Sequence, residues 1–238
     1  MDSPSTKKVV ACHQPVYLPF PGFFTKMVRS DLFIFMDFIQ LSKSSWQVRN
    51  RIKTRNGCVW LTVPIYTKGK FPQRIKDCRI VDNNWRKKHW ETIKQNYNKA
   101  PYFKDYSDFF EQVYSKKWNW LVDLNIHIIE GLRDFLNIST PLIKTDGDEF
   151  EKKKTELVIE ICKKFNATDY LSSDGEVDYI EKNKFKKANI RHHYLNYTPT
   201  PYPQLFGEFI PNLSVIDLIF NCGHQSINII IGEKVEIS

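Results

Sequence analysis

One stretch decides the fold of this chain: His13-Gln14-Pro15-Val16-Tyr17-Leu18-Pro19-Phe20-Pro21-Gly22. An apolar run precedes it, Val9 to Cys12, and predicts a buried strand. Helix-like sequence follows from Phe23 to Arg29, and then a second apolar run from Leu32 to Met36. This order predicts a strand, loop, helix and strand unit of an α/β fold. His13 lies where the first strand gives way to the loop, at the end of a strand where open α/β sheets bind their ligands.

The composition is that of a folded protein with an anionic partner. Of the 238 residues, 42% are hydrophobic, 14% aromatic and 26% charged, which is enough apolar sequence for a sizeable core. The formal net charge is +8 at pH 7 and the pI is about 9.1. This balance favours nucleic acid, nucleotides, phosphosugars or a membrane surface as partners and does not choose among them.

The cysteines and the first residues of the chain indicate a reduced, cytoplasmic setting. The five cysteines show no CxxC spacing, which is typical of reduced thiols in a cytosolic protein and argues against a zinc site, so no metal site is predicted. The segment from Met1 to Lys8 lacks the apolar core of a signal peptide, and no apolar run approaches transmembrane length. We therefore expect a cytoplasmic protein without a membrane span.

A β-hairpin and then a series of helices are predicted in the middle of the chain. The residues from Trp46 to Lys53 alternate, with cationic side chains on one face, and Arg55-Asn56-Gly57 is a turn signal before a returning strand from Cys58 to Ile65. Apolar spacing predicts the following further elements: a strand over Ile75–Val81, and helices from Trp85 to Pro101, over Asp105–Lys117, over Trp120–Leu136 and over Glu149–Phe165.

A second alternation of strand and helix extends the sheet near the end of the chain. It consists of a strand over Thr168–Ser172, a helix over Val177–Ala188 and a strand over Ile190–Leu195. A capping box at Ser214 to Asp217 begins a last helix, which ends at Gly223. We predict an α/β fold, a Rossmann-like open sheet with a helical insert in the middle of the chain. Residues 1–238 are predicted to form one domain, with the insert or subdomain at approximately 83–165.

His13 and Asp37 are the candidate catalytic residues. Histidine titrates near neutral pH, so His13 suits the role of a general base or of a phosphate ligand. Asp37 follows the second apolar run, where a carboxylate would orient an amine, bind a ribose or assist magnesium. The alternatives are a histidine that packs at a strand end and an aspartate that caps a turn.

The substrate-binding candidates lie close to these residues in the sequence or in the predicted elements. Guanidinium groups bind phosphate or carboxylate in a forked geometry, although a solvated strand face is an equal alternative for a cationic strand. An aromatic side chain would stack on a base or on a sugar face. The polar candidates include a small-residue loop after a strand, for which an ordinary turn is the alternative. The candidates are Gln14, Tyr17, Gln40, Trp46, Arg49, Asn50, Arg51, Lys53 and Ser172.

The opening stretch from His13 to Gly22 resembles the signature of the WbqC-like protein family, and the likeness continues along nearly the whole chain. The opening is specific, whereas the later segments are weaker signals that occur in the expected order. Those segments are Asp31, Asp37, Gln40, Trp46–Lys53, Trp60–Pro64, Trp85–His89, Tyr97–Phe103, Tyr170–Ser172 and Phe209–Asp217.

The resemblance implies a transferase of surface-polysaccharide biosynthesis of the O-antigen type. Some family members are thought to attach glycine or another acyl group, as an amide, to the amine of a nucleotide-linked amino sugar. The acyl donor would be an acyl-CoA, or a carboxylate activated by ATP with magnesium. Two departures bear on residue roles: the family often has paired acidic residues where this chain has Asp37-Phe38, and a glycine is common near Ser173.

Two alternative functions remain open from the sequence. The opening unit is similar in outline to nucleotidyltransferases with a histidine-rich loop after the first strand, some of which activate a carboxylate with ATP; the second histidine of that motif is missing here, where Pro15 and Pro19 stand. The positive charge and the aromatic content also fit a basic nucleic-acid-binding module. No nucleic-acid-binding motif is recognisable, so nucleic acid is the least favoured partner.

Overall fold

The computed structural model describes residues 7–42, 45–69, 72–145, 147, 150, 152–173 and 180–232. Its strands are β1 (Val9–His13), β2 (Leu32–Phe35), β3 (Arg49–Thr54), β4 (Gly57–Thr62), β5 (Leu142–Lys144), β6 (Asp169–Ser172) and β7 (Arg191–Tyr194). Its helices are α1 (Pro21–Val28), α2 (Trp85–Tyr97), α3 (Phe103–Ser115), α4 (Leu121–Phe135), α5 (Lys154–Lys164), α6 (Lys182–Lys187), α7 (Val215–Cys222) and α8 (Ser226–Ile231).

β1 lies at the centre of a parallel sheet with the strand order β5-β2-β1-β6-β7. Each pair of neighbouring strands in this sheet is parallel. The chain first places β1, β2 and β5 outward on one side, and then returns to place β6 and β7 on the other side of β1. The strand order therefore reverses between β1 and β6, and such a reversal opens a crevice at the carboxyl ends of the strands. The predicted α/β, Rossmann-like open sheet is confirmed.

The alternation of side chains along β1 and β2 gives the sheet two apolar faces. Ala11 and Phe33 belong to one core, which also contains the apolar side of α1 and much of α2, α3, α4 and α7. Val10 and Ile34 belong to a second core on the other face, covered by α5 and α6. Strands of a parallel sheet that is covered on both faces read as continuous apolar runs, and this explains the two runs that flank the opening loop.

α1 connects β1 to β2 and follows from its sequence. Pro21 occupies the first turn, where its missing N–H would have no helical partner. Phe23 and Met27 lie one turn apart and are buried. The Phe23 ring contacts Phe33 of β2 edge-on, with the ring centroids 5.1 Å apart. The helix is thereby held against the sheet directly after the loop that begins at His13.

β3 and β4 form the predicted hairpin outside the parallel sheet. Thr54 pairs with Gly57, so Arg55 and Asn56 make a two-residue loop. Gly57 has a φ of 104°, in the region that favours glycine. The Thr54 hydroxyl accepts from the Asn56 N–H and donates to the Gly57 carbonyl, which closes the turn.

The predicted strand over Ile75–Val81 is wrong. The chain forms a 3₁₀ turn at Ile75–Asp77, and the residues after it make isolated bridges, Arg79 with Trp120 and Ile80 with Ile65. Ile75 and Cys78 are both fully buried although they lie three residues apart. A spacing of three places two side chains on one side of a 3₁₀ turn, whereas a strand would point them in opposite directions.

The helical insert over 83–165 is not confirmed. β5 lies inside that range and pairs with β2 as a parallel strand of the main sheet. Only three residues long, β5 is too short to show a strand period in the sequence. α2, α3 and α4 share the core of α1, while α5 packs on the opposite face of the sheet. The assignment of the whole chain to one domain stays a prediction.

The remaining helix boundaries shift by a few residues from the predicted ones. α3 begins at Phe103 and ends at Ser115, and α5 begins at Lys154. Of the predicted helix over Val177–Ala188, the described part contains α6, and residues 177–179 lie outside the described residues. In the described part of the chain, no helix is both long and apolar enough to cross a membrane.

We expect Phe33→Ala to lower the free energy of unfolding by about 3–5 kcal/mol, because the side chain is fully buried between β1, α1 and its neighbours and its removal leaves a cavity. Tyr66→Ala is the matched control, since Tyr66 is half exposed and should change stability by less than about 1 kcal/mol. Urea unfolding followed by circular dichroism measures both. Equal effects of the two substitutions would contradict the placement of Phe33.

Candidate active site

A cavity of about 340 Å³ lies where the strand order reverses. Its wall comes from the end of β1, the loop after it, the first turns of α1, the segment before β3, and the residues that follow β6 and β7. The wall is mostly apolar with a few polar groups, which is the usual make-up of a small-molecule site. The lining residues are Cys12, His13, Gln14, Val16, Pro19, Phe20, Gly22, Phe23, Lys26, Met36, Trp46, Gln47, Asn50, Ser173, Leu195 and Tyr197.

His13 is half-buried in this wall, at the carboxyl end of β1. Its Nδ1 lies 2.8 Å from the carbonyl oxygen of Gln14. Because a carbonyl oxygen only accepts, Nδ1 carries the proton and Nε2 is the basic nitrogen of the neutral ring. The ring packs edge-on against Phe23 and stacks over Phe33, with centroid distances of 4.8 and 6.5 Å. These contacts hold the ring of a proton acceptor in one orientation beside the cavity.

Asn125 holds together the two segments that frame the cavity. The loop after His13 is buried without being a helix or a strand, so its backbone polar groups need partners. Asn125, fully buried on α4, donates from Nδ2 to the carbonyl of Pro15 at 3.0 Å and to that of Gln47 at 2.8 Å. One side-chain amide from a distant helix thus joins the loop after His13 to the segment of Gln47, beside the backbone hydrogen bond from Tyr17 to the Trp46 carbonyl.

Asn50, predicted to bind substrate, supports the same loop. Its Nδ2 donates to the carbonyls of Leu18 and Tyr17, and its Oδ1 accepts from the Arg51 N–H at 2.8 Å. Leu18 has a φ of 46°, a left-handed conformation that a leucine adopts only when its surroundings impose it. Asn50 also lines the cavity, but its amide is already engaged in shaping the loop.

Two polar residues of the cavity wall, Lys26 and Gln47, were not among the candidates from sequence. Lys26 is 1% exposed, and its Nζ donates to the Cys12 carbonyl at 2.8 Å. Gln47 is 5% exposed. A signal for Lys26 was present, because it lies three residues after Phe23 on the apolar side of a short helix, where a charged residue is unusual. Gln47 had no comparable signal.

An aromatic and cationic surface borders the cavity. Trp46 lines the cavity and is 48% exposed, so it forms part of the rim. Its ring lies 5.5 Å from the ring of Trp60, which is opposite Arg51 in the hairpin. The guanidinium groups of Arg49 and Arg51 lie 4.4 and 5.7 Å from the Trp60 ring centre. We call these four residues the Trp–Arg platform; sequence reasoning found three of them and missed Trp60.

Tyr17 lies in the core and not in the cavity. It is fully buried, and its hydroxyl lies 2.9 Å from Nδ1 of His89 and 2.6 Å from the hydroxyl of Tyr114. Burial raises the pKa of Tyr17 well above its usual range and lowers the pKa of His89 to about 4. These three groups are neutral at pH 7 and join the opening loop to α2 and α3. A ring packed in this way cannot stack on a substrate, so that predicted role is corrected.

Asp37 and Gln40 lie outside the cavity. Asp37 is fully buried just after β2, and its Oδ2 lies 3.1 Å from Nζ of Lys144, on β5. Gln40 is exposed, and its backbone forms an isolated antiparallel β-bridge with that of Arg74. Met36, the residue before Asp37, is the one that reaches the cavity wall. Asp37 therefore does not line the cavity, and its carboxylate joins the end of β2 to β5 through Lys144.

Lys53 shares the face of Arg49 and Arg51 in the alternation of β3 but is covered by the chain. Its Nζ donates to Oε1 of Gln204 at 3.0 Å and to the carbonyls of Gly207 and Glu208. The lysine is 1% exposed and does not line the cavity. Its backbone N–H donates to the hydroxyl of Tyr97, which in turn donates to Oδ2 of Asp217 at 2.7 Å. Lys53 therefore holds the segment at 204–208 instead of a ligand.

Ser172 is buried at the end of β6, and its hydroxyl lies 2.6 Å from Nε2 of His192 on β7. The next residue, Ser173, lines the cavity. Of the small-residue loop that the sequence predicts after β6, formed by Ser172, Ser173 and Gly175, Ser173 lies in the cavity wall, whereas the hydroxyl of Ser172 is engaged by His192. Gly175 lies outside the described residues.

A second, wider concavity of about 690 Å³ lies between α6 and β7, at the edge of the sheet. Its cationic residues include Lys182, Lys186 and Arg191. The Arg191 guanidinium is bound to Oδ2 of the buried Asp169 at 2.7 Å, and His193 binds Oδ1 of the same carboxylate. This concavity is away from the reversal of strand order, so the cavity at His13 is the better candidate for a functional site.

The described residues contain no group of three or more His, Cys, Asp and Glu side chains that would hold a metal ion. The five cysteines, all of which lie in the described part of the chain, are not joined by disulfide bonds. Cys12 is the one of the five that lines the cavity at His13, and it is buried.

The fold is that of a doubly wound α/β protein with a cavity at the reversal of its strand order, where proteins of this class bind their ligands. The chain belongs to the WbqC-like protein family, whose model matches residues 14–229, and this family is linked to O-antigen biosynthesis. The chain is also similar to "Uncharacterized protein Rv1507c" of Mycobacterium tuberculosis (strain ATCC 25618 / H37Rv), with 34% identity over 221 residues, which cover 92% of this chain and 96% of the relative. No solved structure matches the chain.

The buried carboxyl of Asp217 generates a pH prediction. Burial raises its pKa to about 6, above the value of about 4 that an aspartate has in an unfolded chain. The stability from protonated Asp217 is fully present below about pH 4 and is lost as the pH rises through about 6. Asp217→Asn removes this titration, so from pH 4 to pH 7 we expect the wild type to lose up to about 3 kcal/mol of unfolding free energy relative to the variant.

Urea unfolding of both proteins at pH 4 and at pH 7 measures this difference. Because all other carboxyl groups titrate in both proteins, the comparison isolates Asp217. A stability difference between wild type and Asp217→Asn that stays constant with pH would contradict the raised pKa of the buried Asp217 carboxyl.

Proposed function

We propose that this protein is a transferase of surface-polysaccharide biosynthesis that forms an amide on the amine of a nucleotide-linked amino sugar. The observation that carries the proposal is the juxtaposition of the His13 cavity with the Trp–Arg platform at its rim. The cavity provides a proton acceptor, His13, in a partly enclosed site. The Trp–Arg platform provides cations and aromatic faces for a nucleotide diphosphate. Membership of a family linked to O-antigen biosynthesis supports the same choice.

His13 takes the role of general base in this proposal. An amine attacks an acyl carbon only as the free base, and it must lose a further proton as the C–N bond forms and the bond to the acyl leaving group breaks. Nε2 of His13 accepts that proton. The hydrogen bond from Nδ1 to the Gln14 carbonyl stabilises the imidazolium that results, in the way that an acceptor orients a catalytic histidine.

The size of the cavity determines which part of the substrate lies inside it and which part lies outside. Its volume of about 340 Å³ is at the small end of the range for ligand pockets, roughly 300–1,000 Å³. A sugar or an acyl group fits that space, and a complete nucleotide sugar exceeds it. The nucleotide therefore lies on the platform, with Arg49 and Arg51 on the diphosphate and Trp46 and Trp60 against the base.

Two classes of acyl donor are compatible with this arrangement, an acyl-CoA and a carboxylate activated by ATP with magnesium. Activation of a carboxylate by ATP is also the chemistry of the alternative function, an ATP-dependent nucleotidyl or adenylyl transferase. The position of His13 at the end of the first strand of a doubly wound sheet favours this alternative over a nucleic-acid-binding module, because an enclosed cavity serves a small molecule.

We expect His13→Gln to keep substrate affinity and to lower turnover about 10²–10⁴-fold, because loss of general base catalysis acts on the chemical step. A thermal-shift screen identifies the substrate first, with nucleotide-linked amino sugars, their non-amino parents, ATP with magnesium, acyl-CoA and single-stranded oligonucleotides. Mass spectrometry of the amide product then measures turnover. Turnover unchanged in a folded His13→Gln protein would end the assignment of His13 as the base, and stabilisation by oligonucleotides alone would end the transferase proposal.

The platform generates a separate prediction on binding. Arg49→Ala and Arg51→Ala should each raise the Kd for the nucleotide sugar about tenfold or more, since each removes a charged hydrogen-bond donor from the diphosphate. Trp60→Ala should weaken binding of the free nucleoside diphosphate as well as that of the nucleotide sugar. Arg55→Ala is the control, because Arg55 lies in the turn of the same hairpin and outside the platform. Titration calorimetry that shows equal losses for Arg55→Ala and Arg51→Ala would refute a specific platform.

A further inference from the structure

Two aromatic rings approach the backbone of α1 closely at Gly22, beside the cavity. Gly22 lies in the first turn of α1, where glycine stabilises a helix less than alanine does, and its φ is not positive. A Cβ atom at this position would lie 2.8 and 2.9 Å from two atoms of the Tyr197 ring, and it would also overlap the ring of Phe20. The space that these two rings occupy, and not the backbone conformation, therefore explains the glycine.

Phe20 and Tyr197 form an aromatic part of the cavity wall. Both residues line the cavity, and both are half-buried, so each keeps accessible surface. Their ring centroids are 5.7 Å apart and their planes meet at 71°, which is an edge-to-face contact. This contact and the packing on Gly22 hold the Tyr197 ring in one orientation, as a binding surface requires. We call Phe20 and Tyr197 the aromatic wall.

The irregular segment that carries Tyr197 is held at both ends. At its start, the N–H of Leu195 donates to the carbonyl of Ser172 at 2.8 Å, and Leu195 also lines the cavity. At its end, the N–H of Ser214 donates to the carbonyl of Arg51 at 2.9 Å. Because Arg51 belongs to the Trp–Arg platform, this segment connects the aromatic wall to the hairpin that carries the platform.

We propose that Tyr197 is a substrate-specificity residue, whose ring packs, together with that of Phe20, against the sugar ring of the nucleotide-linked amino sugar. The cavity then holds the sugar and not the acyl group. This inference rests on the proposed function, in which a sugar or an acyl group would fit the cavity, and it decides between the two.

The chemistry of a sugar ring suits the aromatic wall. A pyranose ring has a face made of C–H groups and an edge made of polar groups. Aromatic side chains bury an apolar face of this kind, and the few polar groups of a ligand pocket then fix the orientation of the polar edge. His13, in the same cavity, would in this way meet the amine of the sugar.

The covalent structure of a nucleotide sugar also favours the sugar as the occupant of the cavity. Its sugar is bonded directly to the diphosphate, so a diphosphate on Arg49 and Arg51 places the sugar next to the platform. Trp46 belongs to the platform and also lines the cavity, so the two are contiguous. The acyl group arrives on a separate molecule and has no such connection to the platform.

Titration calorimetry of the whole chain tests the role of Tyr197 with UDP-linked and dTDP-linked amino sugars, each compared with free UDP or dTDP. We expect the wild type to bind the preferred nucleotide sugar about tenfold more tightly than its nucleoside diphosphate, because the sugar buries an apolar face. Tyr197→Ala should reduce this difference to less than about threefold and leave the Kd of the free nucleoside diphosphate unchanged. Tyr197→Phe, which keeps the ring, should keep the difference.

Tyr194→Ala is the control for loss of a tyrosine ring, because Tyr194 is exposed and lies outside this cavity. Circular dichroism with a urea midpoint checks that each variant is folded. Gly22→Ala should lose the difference as Tyr197→Ala does, since its methyl group displaces the Tyr197 ring. If Tyr197→Ala does not fold, Tyr197→Leu decides, because leucine fills much of the space without a ring: loss of the difference supports the proposal, and its retention overturns it.

The same titrations, with acetyl-CoA added as a probe, separate this inference from the proposed function. If folded Tyr197→Ala keeps the preference for the nucleotide sugar, or loses affinity for acetyl-CoA instead, the inference is overturned and the transferase proposal stands. Equal affinity of the wild type for a nucleotide sugar and for its nucleoside diphosphate has the same meaning. Failure of every nucleotide sugar and of both free nucleoside diphosphates to bind would overturn the proposed function, and this inference with it.

Discussion

The rest of the structure depends on one constraint: the loop from Gln14 to Phe20 is buried, and its backbone polar groups must be satisfied where water is excluded. The sequence meets the constraint in two ways. Prolines at positions 15 and 19 remove two N–H groups that would need acceptors. The carbonyls of Pro15, Leu18 and Pro19 accept from Asn125, from Asn50 and from the N–H of Val215. These partners come from β3, α4 and the start of α7, so the cavity has its shape only when distant parts of the chain have come together.

Features of the fold that depend on local sequence patterns could be predicted, whereas those that depend on contacts between distant parts of the chain could not. The β1–α1–β2 unit, the hairpin and the Rossmann-like sheet could be predicted, because strand runs, a helix period and a turn signal are local patterns. The strand at Ile75–Val81 failed, and β5 was missed, because tertiary pairing and not local sequence decides such short segments. The roles of Tyr17 and Lys53 failed for a related reason. Nothing in a single sequence shows that His89 and Tyr114 contact Tyr17. Nor does it show that the segment at 204–208 covers Lys53.

The site that results has two parts with different physics. The cavity beside His13 is small, mostly apolar and partly enclosed, and its polar groups, among them His13, Lys26 and Gln47, come from separate segments. In the Trp–Arg platform the two tryptophans are exposed and the two arginines half-buried, and both guanidinium groups lie over the Trp60 ring of the hairpin. An enclosed site suits chemistry that water would disturb, and an exposed cationic surface suits a nucleotide diphosphate that keeps part of its hydration. The location of both at the reversal of strand order explains why one loop sequence decides so much of the function.

Hydrogen exchange with and without a nucleotide-linked amino sugar, read by mass spectrometry of peptides, tests most directly whether the His13 cavity and its rim are the substrate site. The account predicts slower exchange in the peptides that contain residues 13–24 and 45–61, and unchanged exchange in the peptide that contains residues 182–194. Protection confined to residues 182–194, between α6 and β7, would contradict it and move the substrate site to the edge of the sheet.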